Sequence, residues 1–312
     1  GDQPIYNEDK TLVLTFNGEI YNYQSLRKEL LEKGHVFTTK TDSEVLIHGF
    51  EEWGPELLGR LRGMFGFAIW NTKDRSLFLA RDYFGIKPLH YCVQNGRFLY
   101  GSEIKSLLAF PGFEKKFNAR ALDSYVSFEY VVPPETFFEG VYALMPSHYL
   151  WYRDGKVETH RYWEPKFAPD ESMTEEQAVS AIEKVFEESV AAHKISDVEV
   201  GCFLSSGVDS SYVSTYFAGQ KTFTVGFDYG DRYNEIDFAK DLSEKIGLEH
   251  HYKVISADEY WGNIRKVQYH MDQPLADASC IALYFVSKIA SEYVKVVLSG
   301  EGADELFGGG NT

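Results

Sequence analysis

The sequence predicts two domains of different fold class: an α+β domain with an antiparallel sheet over residues 1–165 and an α/β domain with a parallel sheet over residues 176–312. Three observations support this prediction. Short apolar segments about ten residues apart, separated by turn residues, are typical of antiparallel strands in the first part. Strand and helix patterns alternate in the second part, as in a parallel sheet with helices on both faces. Residues 164–177 contain two prolines, several charged residues and little apolar material, and residues 166–175 within them form the predicted linker.

In the first domain, a strand is predicted over residues 11–16, ending at Asn17-Gly18. An amphipathic helix with Leu26, Leu30 and Leu31 follows. A second helix over residues 42–54 has Asp42 or Ser43 as its N-cap. Later strands are predicted over residues 64–71, 76–82, 90–94 and 97–103, and Asn-Gly at 95–96 and Asp-Gly at 154–155 predict hairpin turns.

In the second domain, Thr174 and Gln177 form a capping-box pattern at the start of a helix over residues 175–193. The predicted strands that follow cover residues 198–204, 221–227, 249–255 and 294–300. The helices predicted between them cover residues 211–218, 235–247 and 279–293.

The formal net charge of −16, with no long run of Lys or Arg, repels nucleic-acid phosphate, so we expect no nucleic-acid partner. The negative net charge does not exclude ATP binding, because backbone N–H groups and Mg²⁺ supply a local positive field. No long apolar run predicts a membrane span, and the start shows no signal peptide. Cys92, Cys202 and Cys280 include no CxxC pair, so we expect neither a zinc ribbon nor a disulfide framework, and a cytoplasmic location fits best.

Residues 205–211, SSGVDSS, join a predicted strand to a predicted helix. Such a loop lies at the carboxyl edge of the sheet, where ligands bind. The helix start offers free N–H groups, the serines add hydroxyl donors, and Asp209 can bind Mg²⁺, so the loop is a candidate phosphate site. It lacks the Walker A pattern. The alternative is a serine-rich turn that caps the helix.

A second strand and loop, VVLSGEGADELFGG, spans residues 296–309 and carries Ser299, Gly300, Glu301, Asp304 and Glu305. Burying so many carboxylates would be costly without a cation or a basic partner, and metal-bound phosphate supplies one. The alternative is a solvated acidic helix start.

The first loop resembles the pyrophosphate loop, SGGxDS, of the N-type ATP pyrophosphatases, with Ser206 at a usual glycine, which a negative φ would tolerate. Both loops, with NGEIYNY at 17–23 and RDYFGIKPL at 81–89, resemble the glutamine-hydrolysing asparagine synthetase family over nearly the whole chain. The resemblance implies an N-terminal-nucleophile αββα sandwich, incomplete here, then an incomplete adenine-nucleotide α-hydrolase-like domain with a parallel sheet.

The resemblance also implies a reaction. Asparagine would be made from aspartate, with glutamine or ammonia as nitrogen donor, through β-aspartyl-AMP and with release of AMP and pyrophosphate. The implied cofactors are ATP and Mg²⁺, and the implied partners are the small-molecule substrates glutamine, aspartate and ATP. A homodimer is compatible with the family, and the sequence does not determine the oligomeric state.

In the glutaminase domain, the resemblance assigns Asn17 and Gly18 to the oxyanion hole, and Asn17, Glu19 and Asp42 to glutamine binding. A plain Asn-Gly turn and a plain N-cap at Asp42 are the alternatives. In the synthetase domain, it assigns Glu301 as the base for ammonia, and Asp209 and Asp304 as Mg²⁺ ligands. The implied ATP-binding residues, of which Leu204 and Val225 also fit plain core positions, are Leu204, Ser205, Ser206, Gly207, Val208, Asp209, Ser210, Ser211, Val225, Ser299 and Gly300.

Arg81, Asp82, Lys87 and Pro88 belong to the family signature RDxxGxKPL, and we expect them to form a structural loop locked by an ion pair. His250 and His251 are adjacent on a predicted strand, so they point to opposite faces and should not share a metal.

The sequence departs from the family at both ends. The family has a nucleophilic cysteine at its mature N-terminus, with an arginine for the glutamine carboxylate nearby, whereas this chain begins at Gly1 and also lacks the family's C-terminal region. We therefore expect an internal part of the enzyme, without glutaminase activity of its own. A β-lactam synthetase-like ligase and a non-catalytic nucleotide-binding remnant are the alternatives. Asn17, Glu19 and Asp42 favour a glutaminase-bearing protein.

Overall fold

The computed structural model describes residues 2–217, 220–230 and 234–307, and the chain divides into two compact units. Unit 1 comprises Gly1–Pro169 and Asp272–Leu275, and unit 2 comprises Asp170–Met271 and Ala276–Thr312. The main division falls after Pro169, among residues 166–175. The segment Asp272–Leu275 belongs to unit 1 because the Asp272 carboxylate accepts a hydrogen bond from Ile104 N (2.5 Å) and the Gln273 side chain accepts one from Phe137 N (2.8 Å).

Unit 1 is built on two antiparallel sheets. Its described strands are β1 (Ile5–Tyr6), β2 (Leu12–Ile20), β3 (Gly63–Asn71), β4 (Ser76–Arg81), β5 (His90–Gln94), β6 (Arg97–Gly101), β7 (Val141–Ala143), β8 (His148–Arg153) and β9 (Lys156–Arg161). Six of them form a sheet in the order β1-β2-β3-β4-β8-β9, and three form a sheet in the order β6-β5-β7. The described helices of this unit are α1 (Tyr23–Glu32), α2 (Glu44–Trp53), α3 (Ile104–Leu108) and α4 (Ala119–Phe128), and a 3₁₀ segment covers Gly54–Arg60.

The two-residue period of the strands sorts their side chains into layers. Phe65 and Phe67 of β3 pack with Leu30 of α1 and Leu46 of α2, all fully or almost fully buried. Ala68, the next residue along β3, lies in a separate core with aromatic residues of the three-stranded sheet. The other face of that sheet packs on α3. The order helix, sheet, sheet, helix confirms the predicted αββα sandwich.

Both predicted hairpins of unit 1 are present. Asn95 (φ 53°) and Gly96 (φ 71°) join β5 to β6, and Asp154 (φ 50°) and Gly155 (φ 78°) join β8 to β9. Positive φ at both central positions is the requirement of a two-residue type I′ turn, which Asn-Gly and Asp-Gly meet.

The end of β2 differs from the prediction. The strand was expected to end at residue 16, but it continues to Ile20, and its pairing with β3 reaches Ile20 opposite Gly63. Asn17-Gly18 is therefore inside a strand, and the alternative of a plain turn there is wrong. A Cβ at Gly18 (φ 153°) would lie 2.0 Å from Met64 O, so only glycine lets the two strands approach this closely.

Unit 2 contains the predicted strands alternating with the predicted helices, and it also contains a helix over residues 257–271 that was not predicted. The described elements in chain order are α5 (Glu175–His193), β10 (Val200–Phe203), α6 (Val208–Ser214), a 3₁₀ segment at Thr215–Phe217, β11 (Lys221–Phe227), α7 (Ile236–Ile246), β12 (Glu249–Ile255), α8 (Ala257–Met271), α9 (Ser279–Ala290), β13 (Val296–Leu298) and α10 (Ala303–Phe307). The helix predicted over 211–218 thus begins earlier and becomes 3₁₀, and residue 218 lies outside the described residues. The capping box at Thr174 and Gln177 is confirmed.

The four strands in the described part of unit 2 are parallel and ordered β12-β11-β10-β13. Val200 and Cys202 of β10 pack with α5 and α6 on one face, whereas Phe203 packs with α9 on the other. This arrangement confirms a parallel sheet with helices on both faces. The chain runs from β10 outward to β12 and then returns to the opposite side of β10, so the strand order reverses between β10 and β13. Ligands bind at such switch points in open α/β sheets.

None of the helices in the described part of the chain combines the length and apolar composition needed to cross a bilayer.

His250 and His251 contact different side chains. The His250 ring forms a hydrogen bond with Thr222, whereas the His251 ring stacks on Phe223.

Candidate functional sites

The loop after β10 is anchored at its start by β11. Leu204 N donates to Phe223 O (2.9 Å), and Thr224 Oγ1 donates to Leu204 O (2.6 Å). Leu204 is 2% exposed and directly follows the strand. Val225 was expected at a strand end, but it lies inside β11, two residues before Phe227, and packs against the core cluster of Phe223. A nucleotide contact at Val225 stays a prediction, and its core packing supports the plainer alternative.

The serines of this loop hold it in a compact turn. Ser205 Oγ and Ser210 Oγ are 2.7 Å apart, Gly207 N donates to Ser205 Oγ (3.1 Å), and Ser211 Oγ donates to Gly207 O (2.7 Å). Gly207 is the N-cap of α6, with φ −71° and no side-chain cap. The first amides of a helix have no intrahelical acceptor, so those of α6 can donate to a ligand. The conformation of the loop is thus held by hydrogen bonds among its own residues.

Ser206 fits the loop although the pyrophosphatase pattern has glycine there. Ser206 is not among the described residues with positive φ, so its backbone conformation tolerates a side chain. Its hydroxyl donates to Glu235 Oε1 (3.1 Å) at the start of α7. Glu235 was not predicted from the sequence, because nothing local connects it to a loop so far away along the chain.

The loop after β13 meets the start of α6. β10 and β13 are adjacent, with Cys202 opposite Leu298, so both loops leave the same edge of the sheet. A Cβ at Gly300 would lie 2.8 Å from Ser210 N and 3.0 Å from Asp209 Cβ. Only glycine allows this approach. The structure thus brings together the two loops that the sequence singled out.

The carboxylates at this edge are accessible. Asp209 is half-buried in the first turn of α6, and Glu301 and Asp304 are exposed in the second loop and in α10. Neither aspartate belongs to a group of three or more metal-ligating side chains found in the described ranges. Mg²⁺ is usually held by one or two carboxylates together with substrate phosphates, so two aspartates beside a phosphate loop suit it. Gly308 and Gly309, which end the quoted motif, lie outside the described residues.

In unit 1, Asn17 lies at a cavity of about 320 Å³. Its side-chain amide donates to Ser102 Oγ (3.1 Å), and Ser102 lines the same cavity with Thr15, Gly66, Leu89 and Tyr100. Ser102 was missed from the sequence, because it follows β6 in the second sheet and only the sandwich brings it to β2. The amide of Asn17 is thus oriented by a hydroxyl from another element.

Asp42 does not cap α2. Ser43 occupies the N-cap position and no side chain caps the helix, whereas Asp42 Oδ2 accepts a hydrogen bond from Ile20 N (2.8 Å). The N-cap alternative for Asp42 is therefore wrong. Burial raises the pKa of Asp42, and hydrogen bonds including that from Ile20 lower it in part. Burial also raises the pKa of Glu19, as does the charge of Asp42, while Lys87 lowers it. The two carboxyl groups thus form a partly buried acidic site suited to an ammonium group.

The RDYFGIKPL segment is a structural loop, but no ion pair locks it. The Arg81 guanidinium donates to the backbone oxygens of Lys87 (2.7 Å), Leu144 (2.7 Å) and Gly85 (2.8 Å). The Asp82 carboxylate accepts from backbone amides, which belong to Phe65, Phe84, Ile86 and Lys87. The expected ion pair is corrected to two sets of hydrogen bonds with the backbone. The charge of Asp82 still favours the charged guanidinium. Burial lowers the pKa of Arg81, and the negative charge of Asp82 raises it.

The three cysteines are unpaired and buried. Burial raises the pKa of Cys202 to about 12 and also raises the pKa values of Cys92 and Cys280. A thiol acts as a nucleophile only as its thiolate. None of the three therefore has the environment of a catalytic cysteine.

Comparison with known proteins matches two parts of the chain to two families. Residues 1–163 match the glutamine amidotransferase domain family, and residues 181–312 match the asparagine synthase family. The chain is 42% identical to asparagine synthetase (glutamine-hydrolyzing) 1 of Bacillus subtilis, over 100% of this chain and 50% of that protein. It is 43% identical to a putative asparagine synthetase (glutamine-hydrolyzing) of Mycobacterium tuberculosis, over 95% of this chain and 47% of that protein.

A more distant relative is amidase chry2 of Gibberella zeae, 31% identical over 99% of this chain and 49% of that protein. The chain spans about half the length of the curated relatives it matches. Among solved structures, it is similar to a glutamine phosphoribosylpyrophosphate amidotransferase from Bacillus subtilis complexed with ADP and GMP. The TM-score is 0.36 at 17% identity, and the match covers 80% of this chain and 48% of that chain.

Proposed function

Since the chain belongs to the glutamine-hydrolysing asparagine synthetase family, we propose that the protein makes asparagine from aspartate in an ATP-dependent reaction. Glutamine or ammonia is the nitrogen donor, β-aspartyl-AMP is the intermediate, and AMP and pyrophosphate are the products. The adenylating site lies in unit 2, and the site that binds glutamine lies in unit 1.

One observation supports the adenylating site above the others: the close approach of Gly300 to Asp209 and Ser210. A serine-rich helix cap alone would not need a second loop packed against it. A solvated acidic helix start would not need a glycine in contact with the first turn of another helix. The two loops together bring amide donors, hydroxyls and carboxylates to one edge of the sheet, which suits a nucleoside triphosphate.

The residues of unit 2 have distinct roles in this proposal. The amides at the start of α6, with Ser205, Ser210 and Ser211, hold the β- and γ-phosphates that leave as pyrophosphate. Ser299 and Gly300 bind the nucleotide from the neighbouring loop. Glu301, exposed beside them, accepts a proton as ammonia attacks the acyl carbon of the adenylate. Leu204 and Val225 are the candidate contacts for the adenosine.

Mg²⁺ fits Asp209 and Asp304, which offer hard oxygen ligands. When bound, it neutralises the negative charge on the phosphates at which the α–β bond breaks. The chain's own residues place the phosphates, orient the acyl group and move the proton.

In unit 1, Asn17 and the Gly18 amide are proposed to form the oxyanion hole, and Asn17, Glu19 and Asp42 to bind glutamine. The raised pKa values of Glu19 and Asp42 support this assignment, because a substrate ammonium would offset the repulsion between the two carboxylates. A β-lactam synthetase-like ligase needs no such site for the glutamine amino group. The same observations therefore favour a glutamine-using enzyme over that alternative.

The test is pyrophosphate release from Mg-ATP with ammonia as nitrogen donor, with and without aspartate. We expect release that depends on aspartate, and we expect Asp209→Ala to slow it on the order of a hundredfold, as is typical when a group that stabilises transition-state charge is lost. Asp258→Ala is the matched control, because Asp258 is also an aspartate in the first turn of a helix, is exposed, and has no proposed role.

If the chain alone releases no pyrophosphate, the measurement is repeated with the full-length gene product. No aspartate-dependent release from that protein would contradict the proposal. Tight ATP binding without any release would instead support the non-catalytic nucleotide-binding alternative.

A further inference from the structure

Unit 1 contains a cluster of ionisable side chains that has no part in the proposed reaction. Glu8, His35, His48 and Glu51 each place one potential ligand atom within 4.8 Å of the others. Glu8 lies between β1 and β2, His35 follows α1, and His48 and Glu51 are one turn apart on α2. Only the tertiary structure brings the three segments together. The sequence shows just one local signal, a histidine and a glutamate spaced i, i+3 on one helix.

The distances within the cluster are close to those of a four-coordinate metal site. His48 Nδ1 lies 3.4 Å from Glu8 Oε2, His35 Nδ1 lies 3.4 Å from Glu8 Oε1, and His35 Nδ1 lies 3.8 Å from Glu51 Oε2. Metal–ligand bonds of about 2.0–2.1 Å in tetrahedral geometry place ligand atoms roughly 3.3–3.4 Å apart. An ion would therefore fit with small side-chain movements.

The second nitrogen of each histidine faces a carboxylate outside the cluster. His48 Nε2 lies 3.4 Å from Glu44 Oε1, and His35 Nε2 lies 3.4 Å from Glu52 Oε2. Glu44 is fully buried and is held by amide and hydroxyl donors of Thr38 and Thr39. Metal-binding histidines usually donate their second N–H to a carboxylate in this way, which leaves the other nitrogen free to bind metal.

His48 gives the strongest indication that the cluster binds a cation. Its side chain is 1% exposed, and within the part of the chain that the structure describes its Nδ1 has no hydrogen-bond partner, although it faces Glu8 at 3.4 Å. With a proton on Nε2, the Nδ1 lone pair points at an anionic oxygen, and the same holds for His35. Two lone pairs aimed at one carboxylate repel it unless a cation lies between them. A metal ion bound by both rings would supply that positive charge.

We propose that Glu8, His35, His48 and Glu51 bind one divalent transition-metal ion, with Zn²⁺ the best fit. Two imidazoles and two carboxylates form a nitrogen and oxygen set that suits Zn²⁺, whereas Mg²⁺ prefers oxygen ligands alone. This ion is chemically distinct from the Mg²⁺ expected in unit 2. It joins the turn before β2, the segment after α1 and α2, so its role is structural.

The ion is also connected to the proposed glutamine-binding residue Asp42 through a series of side-chain contacts. His48 contacts Glu44, Glu44 holds Thr38 and Thr39, and Asp42 lies between these threonines and Glu44 in sequence. Binding to the folded state alone stabilises that state by mass action. Removing the ion should therefore loosen the segment that carries Asp42.

The test uses the 312-residue chain without an affinity tag, stripped with a chelator and then titrated with ZnCl₂. We expect one equivalent of Zn²⁺ to bind and to raise the melting temperature. Co²⁺ in its place should show the intense visible absorption of tetrahedral coordination. His35→Gln and Glu51→Gln should each weaken binding at least about tenfold. His270→Gln and Glu32→Gln, which change exposed residues of the same types outside the cluster, should bind as the unchanged chain does.

Folding of each variant is checked by circular dichroism. X-ray absorption at the zinc edge of the unchanged chain gives a second readout, in which two imidazole nitrogens should be present in the coordination shell. Absence of stoichiometric binding, equal affinity in all four variants, or a shell made of oxygen only would each overturn the proposal.

Discussion

Glu19 and Asp42 show how single residues reveal a site by being poorly satisfied. Asp42 accepts a hydrogen bond from Ile20 N, but each carboxyl group is partly buried, and the charge of Asp42 acts on Glu19. Because burial and a like charge both disfavour ionisation, the ionised pair weakens the folded state at neutral pH. Such strain is typical of residues placed for a ligand rather than for stability.

We predict that Glu19→Gln stabilises the chain at pH 7, by at most about 1 kcal/mol because solvent screens a partly exposed charge. The folded-state pKa of Glu19 lies above its ordinary value of 4.5, so its favourable contribution is complete below pH 4.5 and is lost as the pH rises through the folded value. The gain from the substitution should therefore be seen at neutral pH and should vanish below pH 4.5.

Thermal unfolding across this pH range checks the prediction, with Glu32→Gln on the exposed face of α1 as the control. If Glu19→Gln destabilises the chain at pH 7, the carboxylate makes a net favourable contact and the repulsion argument fails. Glutamine binding by the full-length gene product should weaken in the same variant.

Among the elements, β2 combines proposed site residues with a close approach to its neighbouring strand. Asn17, Gly18 and Glu19 lie inside this paired strand. The backbone at Gly18 lies so close to Met64 of β3 that it leaves no room for a side chain. Gly63 repeats the constraint from the other strand, because a Cβ there would lie 2.2 Å from Glu19 O. The close approach of the two strands holds these three residues in fixed positions on a rigid sheet, which suits a site that must orient a substrate.

We predict that Gly18→Ala destabilises unit 1 by about 2–4 kcal/mol, because the new methyl group forces the two strands apart. Gly34→Ala is the matched control. Gly34 also has positive φ (98°), but no atom lies within 4 Å of a Cβ there, so its cost should be only about 1 kcal/mol from backbone strain. Urea unfolding measures both variants, and equal losses would show that the clash at Met64 O does not occur.

Over the whole molecule, two units with separate cores share one strongly acidic chain. The aromatic core of unit 1 lies on two antiparallel sheets, and the core of unit 2 lies on both faces of a parallel sheet. The net charge of −16 is compatible with the phosphate binding proposed for unit 2, because the loops after β10 and β13 bring backbone amides to one edge. In this proposal, local dipoles rather than the net charge attract the phosphates.

We predict that the chain does not bind duplex DNA or RNA, even at low salt, because neutralising phosphates requires clusters of Lys and Arg. Fluorescence anisotropy of a labelled duplex at about 50 mM salt, near the low end of the range over which such binding is compared, checks this. Binding that weakens as salt is added would contradict the prediction and would point to a basic surface that the net charge conceals.

The sequence alone determined the features that depend on neighbours along the chain. Hairpins at residues 95–96 and 154–155, the capping box at Thr174, the alternation of elements in unit 2 and the two loop motifs were all predicted, because turn chemistry and periodicity are local. The tertiary structure alone decided which distant residues meet. It extended β2 through Glu19, gave Asp42 the Ile20 amide instead of a helix cap, turned the side chains of Arg81 and Asp82 to the backbone, and brought Gly300 against Asp209. Strand register and layer order set these contacts, and neither is encoded in the spacing of residues along one segment.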